Sequence, residues 1–299
     1  MLLASGSRGV GTGPREGSLE ALHHVRALVP SKALPGLVRR RIDRLWEHES
    51  FRAGNEESMR FLLEHTERAD EAAVLARAHA EHSLLRNWLR YHPAVTTRQE
   101  VRDVEWLTTR RDRSRAVVLS FLHHHQYYGL FGSLQRHGVD VTVLSMPWAL
   151  GPDAPPYIKQ QMRVIARGAT VRPVGGGTDA VVGEMRPGVV MAIASDVAGR
   201  TPVRFLGRDL LGSFGAARVA ALSDSPVVTV TAHREGGGSY LQVHEPLEPR
   251  DFADPADLLA AMLRIHEPAV LAWPEALDQP LTRWGRPDDE TVPEQRTGN

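Results

Sequence analysis

Residues 117–132, with the sequence VVLSFLHHHQYYGLFG, constrain the fold more than any other stretch of this chain. A continuous run of apolar β-forming residues leads into three consecutive histidines, and a helix-like pattern follows them. This order is typical of the strand, loop and helix of an α/β unit. Because open α/β sheets bind ligands at the carboxyl ends of their strands, we expect His123, His124 and His125 to lie where the chemistry takes place.

Composition excludes several classes of protein. The chain has 299 residues, 42% of them hydrophobic, which is enough for a large core in one or two domains. Its 36 basic and 36 acidic residues give no net charge, so no overall field attracts nucleic acid, and DNA is not an expected partner. The absence of cysteine excludes disulfides and thiolate chemistry. No apolar run approaches the roughly 18 residues of a membrane-spanning helix, and we expect a soluble, cytoplasmic protein.

The composition and periodicity of the sequence change twice along the chain. Residues 1–17 are rich in glycine and have no periodicity, which predicts a disordered leader. Residues 18–92 place apolar side chains three and four positions apart, which predicts a helical N-terminal layer. Residues 93–299 alternate strands with helices and end in helices. The sequence therefore predicts a single α/β domain over residues 18–299, with a mostly parallel central sheet flanked by helices.

The predicted elements of the α/β part follow from short apolar runs and from helical periodicity. The strands are predicted at residues 101–107, 117–122, 139–145, 171–174, 189–196, 203–206, 227–231 and 240–244. The later helices are predicted at residues 157–167, 178–185, 214–222, 256–265 and 268–277.

Three segments occur in an order that is known from one superfamily. SFLHHHQYYGLFGSLQRHG is followed by GEMRPGVVMAIASDVAGRTPVRFLGR and then by SFGAARVAALSDSPVVTVTAHR. This succession, between residues 56 and 249, resembles the lysophospholipid acyltransferase superfamily, above all the bacterial late lipid A and phosphatidylinositol mannoside acyltransferases. The resemblance implies an α/β acyltransferase that moves an activated acyl group to a hydroxyl or amine acceptor and uses no cofactor.

Members of that superfamily carry a histidine, four intervening residues and an acid, in which the histidine deprotonates the acceptor and the acid orients the histidine. Matching the GLFG of residues 129–132 to the end of the family motif puts His124 at the histidine and Gly129 at the acid. The other two registers place Tyr128 or Leu130 at the acid, so none supplies a carboxylate. We therefore expect His124 to be the general base and its acid to come from elsewhere in the chain.

Asp196 is the predicted source of that acid. It ends a predicted core strand, as an acid does in the family, and neighbouring parallel strands bring such ends together. The resemblance also implies that Arg204, in the segment VRFLGR, and Arg234, after a late strand, bind the acceptor or a phosphate. The predicted substrate-binding residues are completed by His123, His125 and Tyr128.

Structural roles remain open for the same residues. His124 can be satisfied by backbone groups at the strand end, Asp196 can cap the following turn, and Tyr128 can pack as an aromatic side chain. A metal site is not expected, because adjacent residues of a strand point to opposite faces and do not converge on one ion.

Three functions remain open at this point. The first is acyl transfer to a lipid or glycolipid, with peripheral contact with the inner membrane. The second is transfer to a specialised metabolite, with acyl-CoA, acyl carrier protein or aminoacyl-tRNA as the donor. The third is a family member without catalytic activity. The glycine in place of the acid predicts an acceptor that is easier to deprotonate than a sugar hydroxyl, such as an amine or hydroxylamine.

Overall fold

A computed structural model describes residues 25–286, so the predicted leader at residues 1–17 lies outside the described residues. The chain forms a seven-stranded sheet, flanked by helices, and a separate two-stranded hairpin. Five of the six strand pairs in the large sheet are parallel, which confirms the predicted α/β fold with a mostly parallel central sheet.

Nine strands lie within residues 25–286. In chain order they are β1 (Glu100–Arg102), β2 (Val117–Phe121), β3 (Val141–Ser145), β4 (Ala169–Pro173), β5 (Val190–Ala194), β6 (Ala198–Phe205), β7 (Arg208–Gly212), β8 (Val227–Glu235) and β9 (Gly238–Val243). The order in the large sheet is β1-β9-β8-β2-β5-β3-β4, and strands β6 and β7 form the separate hairpin.

Helices precede the sheet and connect its strands. They are α1 (Leu34–Trp46), α2 (Glu49–Leu63), α3 (Ala72–Leu89), α4 (Pro93–Thr96), α5 (Leu130–Gln135), α6 (Pro147–Leu150), α7 (Pro156–Ile165), α8 (Gly177–Glu184), α9 (Gly215–Leu222), α10 (Pro255–Ala272) and α11 (Pro280–Arg283). The first three lie in the region for which the sequence predicts a helical layer, and α2 packs its apolar side chains into the same core layer as α10.

Strand β2 lies at the centre of the sheet and is buried along its whole length. Val117, Leu119 and Phe121 enter the apolar layer on one face, while Val118 enters the layer on the other face. Both faces are covered because successive side chains of a strand point to opposite sides and helices lie on each side of the sheet. This explains why β2 is apolar at every position except Ser120.

The pairing of β2 with β5 sets the position of the candidate site. The two strands run parallel and in constant register, from Val117 opposite Val190 to Phe121 opposite Ala194. Extending the same register by two residues places His123 opposite Asp196. Both residues therefore lie at the carboxyl edge of the sheet, on adjacent strands.

Two hairpins were not predicted from the sequence. Strands β6 and β7 pair antiparallel, and so do β8 and β9, whose turn contains Gly236 at φ 53° and Gly237 at φ 82°. Two consecutive positive φ angles are what a two-residue hairpin turn requires, and glycine adopts them without strain. The predicted strand at residues 101–107 is also shorter in the structure, because a 3-10 turn (Val104–Leu107) follows β1.

The predicted helices at residues 256–265 and 268–277 are instead one helix, α10, followed by a 3-10 turn (Pro274–Ala276). The prediction placed a boundary at Pro268 because proline lacks the N–H of a helical hydrogen bond. Pro268 is exposed, however, so water can hydrogen bond to the unpaired carbonyl group, and the buried apolar face continues on both sides of it. The packing of that face against the sheet outweighs the local cost of the proline.

We expect Leu119→Ala to lower the free energy of unfolding by about 2–5 kcal/mol, because a fully buried leucine of the central strand would leave a cavity. Urea denaturation would measure the change. Val74→Ala is the matched control, since Val74 is 79% exposed on α3 and its truncation should change stability by less than about 0.5 kcal/mol. Equal effects for the two variants would contradict the placement of β2 at the centre of the core.

Candidate active site

His123 and Asp196 form a hydrogen-bonded pair at the carboxyl ends of β2 and β5. Asp196 Oδ1 lies 2.7 Å from His123 Nδ1, and Asp196 Oδ2 accepts a hydrogen bond of 2.8 Å from the backbone N–H of His123. Because a carboxylate oxygen only accepts, Nδ1 carries the proton, and in neutral His123 the lone pair lies on Nε2. No hydrogen bond to Nε2 is found among residues 25–286, and the His123 side chain keeps 15% of its surface exposed. The arrangement is that of a histidine prepared to accept a proton.

The charge of Asp196 is stabilised by its neighbours. Complete burial raises the pKa of this carboxyl, but attraction and hydrogen bonds from His123 and attraction to Arg283 lower it further, and the pKa lies below its usual value. Asp196 is therefore a carboxylate at neutral pH, as it must be to hold His123 in one tautomer and one orientation. When His123 accepts a proton at Nε2, the same carboxylate stabilises the resulting positive charge.

The C-terminal part of the described chain holds the histidine loop from the side. The backbone N–H of Asp278 donates to the carbonyl of His123 at 2.8 Å, and the N–H of His125 donates to the carbonyl of Ala276 at 2.9 Å. Between these two bonds, His124 and Leu277 form an isolated antiparallel bridge. Residues 276–278 thus fix the backbone of all three histidines.

The Asp278 carboxylate is the centre of a buried polar network beside His123. It accepts hydrogen bonds from Arg86 at 2.5 Å, from Arg283 at 3.0 Å and from the Tyr127 hydroxyl at 3.4 Å. Burial raises the pKa of Asp278, but Arg86 and Arg283 outweigh burial and lower the pKa to about 2. The Tyr127 ring also meets the His123 ring edge to face, with centroids 4.5 Å apart. This network was not predicted from the sequence.

His124, predicted from the resemblance to be the general base, lies in a different environment. It is only 5% exposed, and its Nε2 is 2.9 Å from the carbonyl oxygen of Trp273, to which it donates. Burial lowers its pKa to about 4. Asp196 is hydrogen bonded to His123 and not to His124. The backbone-satisfied alternative that the sequence left open therefore describes this side chain.

His125 and Tyr128, two predicted substrate-binding residues, are buried in the protein. His125 adopts φ 53° and its ring nitrogens lie 3.3 Å from His82 Nε2 and 3.1 Å from Ser239 Oγ. Tyr128 has no exposed surface, and its hydroxyl donates to the backbone carbonyl of Arg86 at 2.8 Å. Both side chains are committed to contacts within the fold.

The two predicted arginines do not join His123 and Asp196. The Arg204 side chain is 72% exposed on the β6–β7 hairpin, where it lies 3.6 Å from Asp209. The Arg234 side chain is 54% exposed at the end of β8 and donates to Glu275 at 2.9 Å. Of the predicted site residues, only His123 and Asp196 are hydrogen bonded to each other.

Gly129 has no room for the acid that the family carries at the matched position. A Cβ added at Gly129 would lie 2.1 Å from the backbone oxygen of Thr96. The glycine is required by the close approach of this backbone to α4, and the orienting carboxylate comes from β5 instead.

Two cavities differ in their position relative to the hydrogen-bonded pair of His123 and Asp196, which we call the dyad. A cavity of about 20 Å³, with room for about one water molecule, lies beside His124 and is also lined by Tyr127 and His266. A groove of about 390 Å³ lies between α2 and β7, and its lining includes Arg60 and Arg208 but neither His123 nor Asp196.

Two kinds of feature are absent from residues 25–286. No group of three or more histidine and acidic side chains in this range is arranged to hold a metal ion. Within the same range, none of the helices has the length and apolar character needed to cross a membrane.

Comparison with known proteins finds a distant structural likeness. No family model and no curated protein matches the sequence. Among solved structures, the chain is similar to the 1-acyl-sn-glycerophosphate (LPA) acyltransferase PlsC from Thermotoga maritima, with 15% sequence identity and a TM-score of 0.40, over 86% of this chain and 97% of that chain. The function of this chain is therefore inferred from the geometry of its own site.

The buried histidines predict loss of stability in acid. Burial lowers the pKa of His124 to about 4 and those of His125 and His266 to about 3. Above about pH 7.5 these groups are almost entirely neutral in both the folded and the unfolded chain. As the pH falls from 6.5 towards 4, the unfolded chain binds protons that the folded protein does not, so the free energy of unfolding decreases.

Urea titrations at several pH values would measure this slope. We expect His266→Gln to make the slope between pH 6.5 and 4 shallower, by about 1 kcal/mol or more over that window. His137→Gln, at an exposed position before β3, is the control and should leave the slope unchanged. A slope that is the same in all three proteins would contradict the neutral, buried state of His266.

Gly129→Ala tests the steric reason for the missing acid. The new methyl group would meet the Thr96 backbone, so we expect a loss of about 1–3 kcal/mol in the free energy of unfolding, measured by urea denaturation. In Gly54→Ala, the matched control on α2, the methyl group meets no atom within 4 Å and should stabilise the helix by about 0.5–1 kcal/mol. A stable Gly129→Ala protein would show that this position can hold a side chain.

Proposed function

We propose that this chain is an acyltransferase in which His123 is the general base and Asp196 orients it. The observation that supports the proposal is the 2.7 Å contact between His123 Nδ1 and Asp196 Oδ1, at the sheet edge where α/β proteins bind their substrates. The acceptor is a hydroxyl or an amine, and the donor is an acyl group activated as a thioester or as an aminoacyl ester.

In the proposed reaction, the acceptor binds with its O–H or N–H directed at His123 Nε2. As the acceptor attacks the acyl carbonyl carbon, its proton passes to Nε2, and Asp196 stabilises the imidazolium ion. The tetrahedral intermediate then collapses, the bond from the acyl carbon to the carrier sulfur or oxygen breaks, and His123 returns the proton to that leaving atom. The dyad ends in its starting state.

Direct transfer between the two substrates is favoured over a covalent acyl-enzyme. Among residues 25–286, no serine, threonine or tyrosine hydroxyl is hydrogen bonded to His123. The nearby buried serines are engaged elsewhere, because Ser120 lies 2.8 Å from Ser195 and 3.2 Å from His266 Nε2. Without a protein nucleophile, the dyad acts on a proton of the bound acceptor, and holding the two substrates side by side supplies a large part of the acceleration.

The proposal changes one residue of the prediction made from the sequence. His123 takes the role predicted for His124, while Asp196 keeps its role as the orienting acid. The expectation of an amine or hydroxylamine acceptor depended on a histidine without an acid partner. Because His123 has such a partner, a hydroxyl group is as suitable an acceptor as an amine.

The test is an assay of variants with matched amine and alcohol acceptors and a panel of acyl-CoA, acyl carrier protein and aminoacyl-tRNA donors. We expect His123→Ala to lower kcat/KM by about 100-fold or more, the usual contribution of a general base. Asp196→Asn should also lower it strongly, because an amide does not stabilise the imidazolium ion. Mass spectrometry of the acylated product gives the readout.

His124→Gln is the matched control for that assay, since it changes the adjacent histidine and keeps a donor for the carbonyl of Trp273. We expect its kcat/KM to stay within about threefold of wild type, in line with a structural role. A large loss in His124→Gln with wild-type activity in His123→Ala would return the role of base to His124. No transfer by the wild type with any donor would favour the inactive alternative.

A further inference from the structure

The imidazole of His123 has contacts besides its hydrogen bond to Asp196. That hydrogen bond fixes one ring atom, Nδ1, at 2.7 Å from Asp196 Oδ1. The Tyr127 ring packs against the same imidazole, with centroids 4.5 Å apart and an angle of 73° between the planes, and the Phe121 ring lies with its centroid 5.8 Å away. Tyr127 is the closer of the two rings and meets His123 edge to face, which is a favourable geometry for an aromatic pair.

The contact with Tyr127 restricts a motion that the hydrogen bond alone leaves open. The nitrogen that accepts a proton is Nε2, whereas Asp196 binds Nδ1. Rotation of the imidazole about its Cβ–Cγ bond displaces Nε2 and takes Nδ1 out of line with the carboxylate. A second contact on another side of the ring opposes this rotation. Such restraint matters because a small misplacement of a reacting group lowers the rate strongly.

Tyr127 is itself held in place along its side chain. The residue is only 5% exposed, and its ring packs against that of Tyr128 with centroids 5.5 Å apart. Its hydroxyl donates to Asp278 Oδ2 at 3.4 Å. Burial raises the pKa of Tyr127, so the hydroxyl keeps its proton at neutral pH and remains a donor. The ring that contacts His123 is therefore a fixed surface.

Asp278 contacts both members of this aromatic pair. Its backbone N–H donates to the carbonyl of His123 at 2.8 Å, and its carboxylate accepts from the Tyr127 hydroxyl. Arg86, on α3, donates to the other carboxylate oxygen at 2.5 Å. One buried residue thus fixes the backbone of the histidine and the side chain of the tyrosine relative to each other.

We propose that Tyr127 is a positioning residue for His123, whose ring keeps the imidazole in the orientation in which Nδ1 donates to Asp196 and Nε2 is presented to the acceptor. The mention of an acceptor rests on the proposed function, but the orientation of the imidazole does not. Tyr128 provides a comparison within the same fold. It is buried as well, its hydroxyl donates to the backbone carbonyl of Arg86, and within residues 25–286 no ring contact joins it to His123.

The kinetic test compares the loss of two neighbouring buried rings in the acyl-transfer assay. We expect Tyr127→Leu to lower kcat by about tenfold or more and to change KM by less than about threefold, because a displaced base impairs the reaction and not the binding of substrates. Tyr128→Leu is the matched control and should keep kcat within about threefold of wild type. Tyr127→Phe keeps the ring and loses only a long hydrogen bond, so it should behave like the control.

A second measurement needs no substrate. Nitrogen NMR of protein with isotope-labelled histidine, at alkaline pH, shows which ring nitrogen carries the proton, and His123→Ala assigns the signal of His123. We expect one state with the proton on Nδ1 in the wild type, in Tyr127→Phe and in Tyr128→Leu. In Tyr127→Leu the nitrogen shifts should be averaged and the Nδ1–H signal weakened or lost, because the imidazole then exchanges between orientations.

Wild-type kcat or an unchanged Nδ1–H signal in folded Tyr127→Leu would overturn the proposal, and so would equal losses of kcat in Tyr127→Leu and Tyr128→Leu. Circular dichroism establishes that each variant is folded. Where Tyr127→Leu does not fold, Tyr127→Met replaces it, because methionine adapts to irregular space in a core. Failure of both variants to fold would make Tyr127 a structural residue and would also overturn the proposal.

The two measurements separate this proposal from the proposed function. An Nδ1–H signal that depends on the Tyr127 ring, in a protein that transfers no acyl group to any acceptor, would support the positioning role and contradict the proposed function alone. Acyl transfer that is lost in His123→Ala and unchanged in Tyr127→Leu would contradict the positioning role alone.

Discussion

The parallel pairing of β2 with β5 is the constraint on which the candidate site depends. Its constant register carries past the ends of both strands and places His123 opposite Asp196. Neither residue is close to the other in the sequence, and neither belongs to a regular element. A strand-to-strand backbone ladder, buried on both faces, thus determines the geometry of two side chains at its end. These two side chains are therefore positioned as firmly as the residues of the core, and more firmly than residues of a surface loop.

Much of the fold could be predicted from the sequence because its main signals are local. The apolar run of β2 and the alternation of strands and helices both reflect burial of nearby residues, and they predict the parallel sheet. The β8–β9 hairpin does not follow from the predicted elements although its turn contains consecutive glycines, because the hydrophobic pattern of a strand does not give its direction. At Pro268 the opposite happens. The local preference of proline predicts a helix boundary, but tertiary packing continues the helix through this residue.

The site was predictable in its residue types and not in its final pairing. Asp196 was identified as the acid from its place at a strand end, but the histidine was chosen by matching a family motif, which selects His124. A shift of one position moves a side chain to the other face of a strand. The His123 side chain lies on the same side as that of Phe121, two residues earlier, and contacts its ring. This two-residue periodicity of a strand was the sequence signal that favoured His123 over His124. Arg86 and Asp278 carried no local signal, because their contact joins parts of the chain that are 192 residues apart.

The clasp formed by residues 276–278 has a consequence for the order of events during synthesis. The histidine loop lies before the middle of the chain, whereas the backbone groups that hold it are made near the end. The central strands can pair while translation continues, but the loop gains its last hydrogen bonds only when the C-terminal part arrives. A chain stalled before that point would contain both members of the dyad and the whole parallel ladder between them. It would still lack the segment that holds the backbone of the histidine loop, so the loop reaches its final geometry only after residues 276–278 have been made.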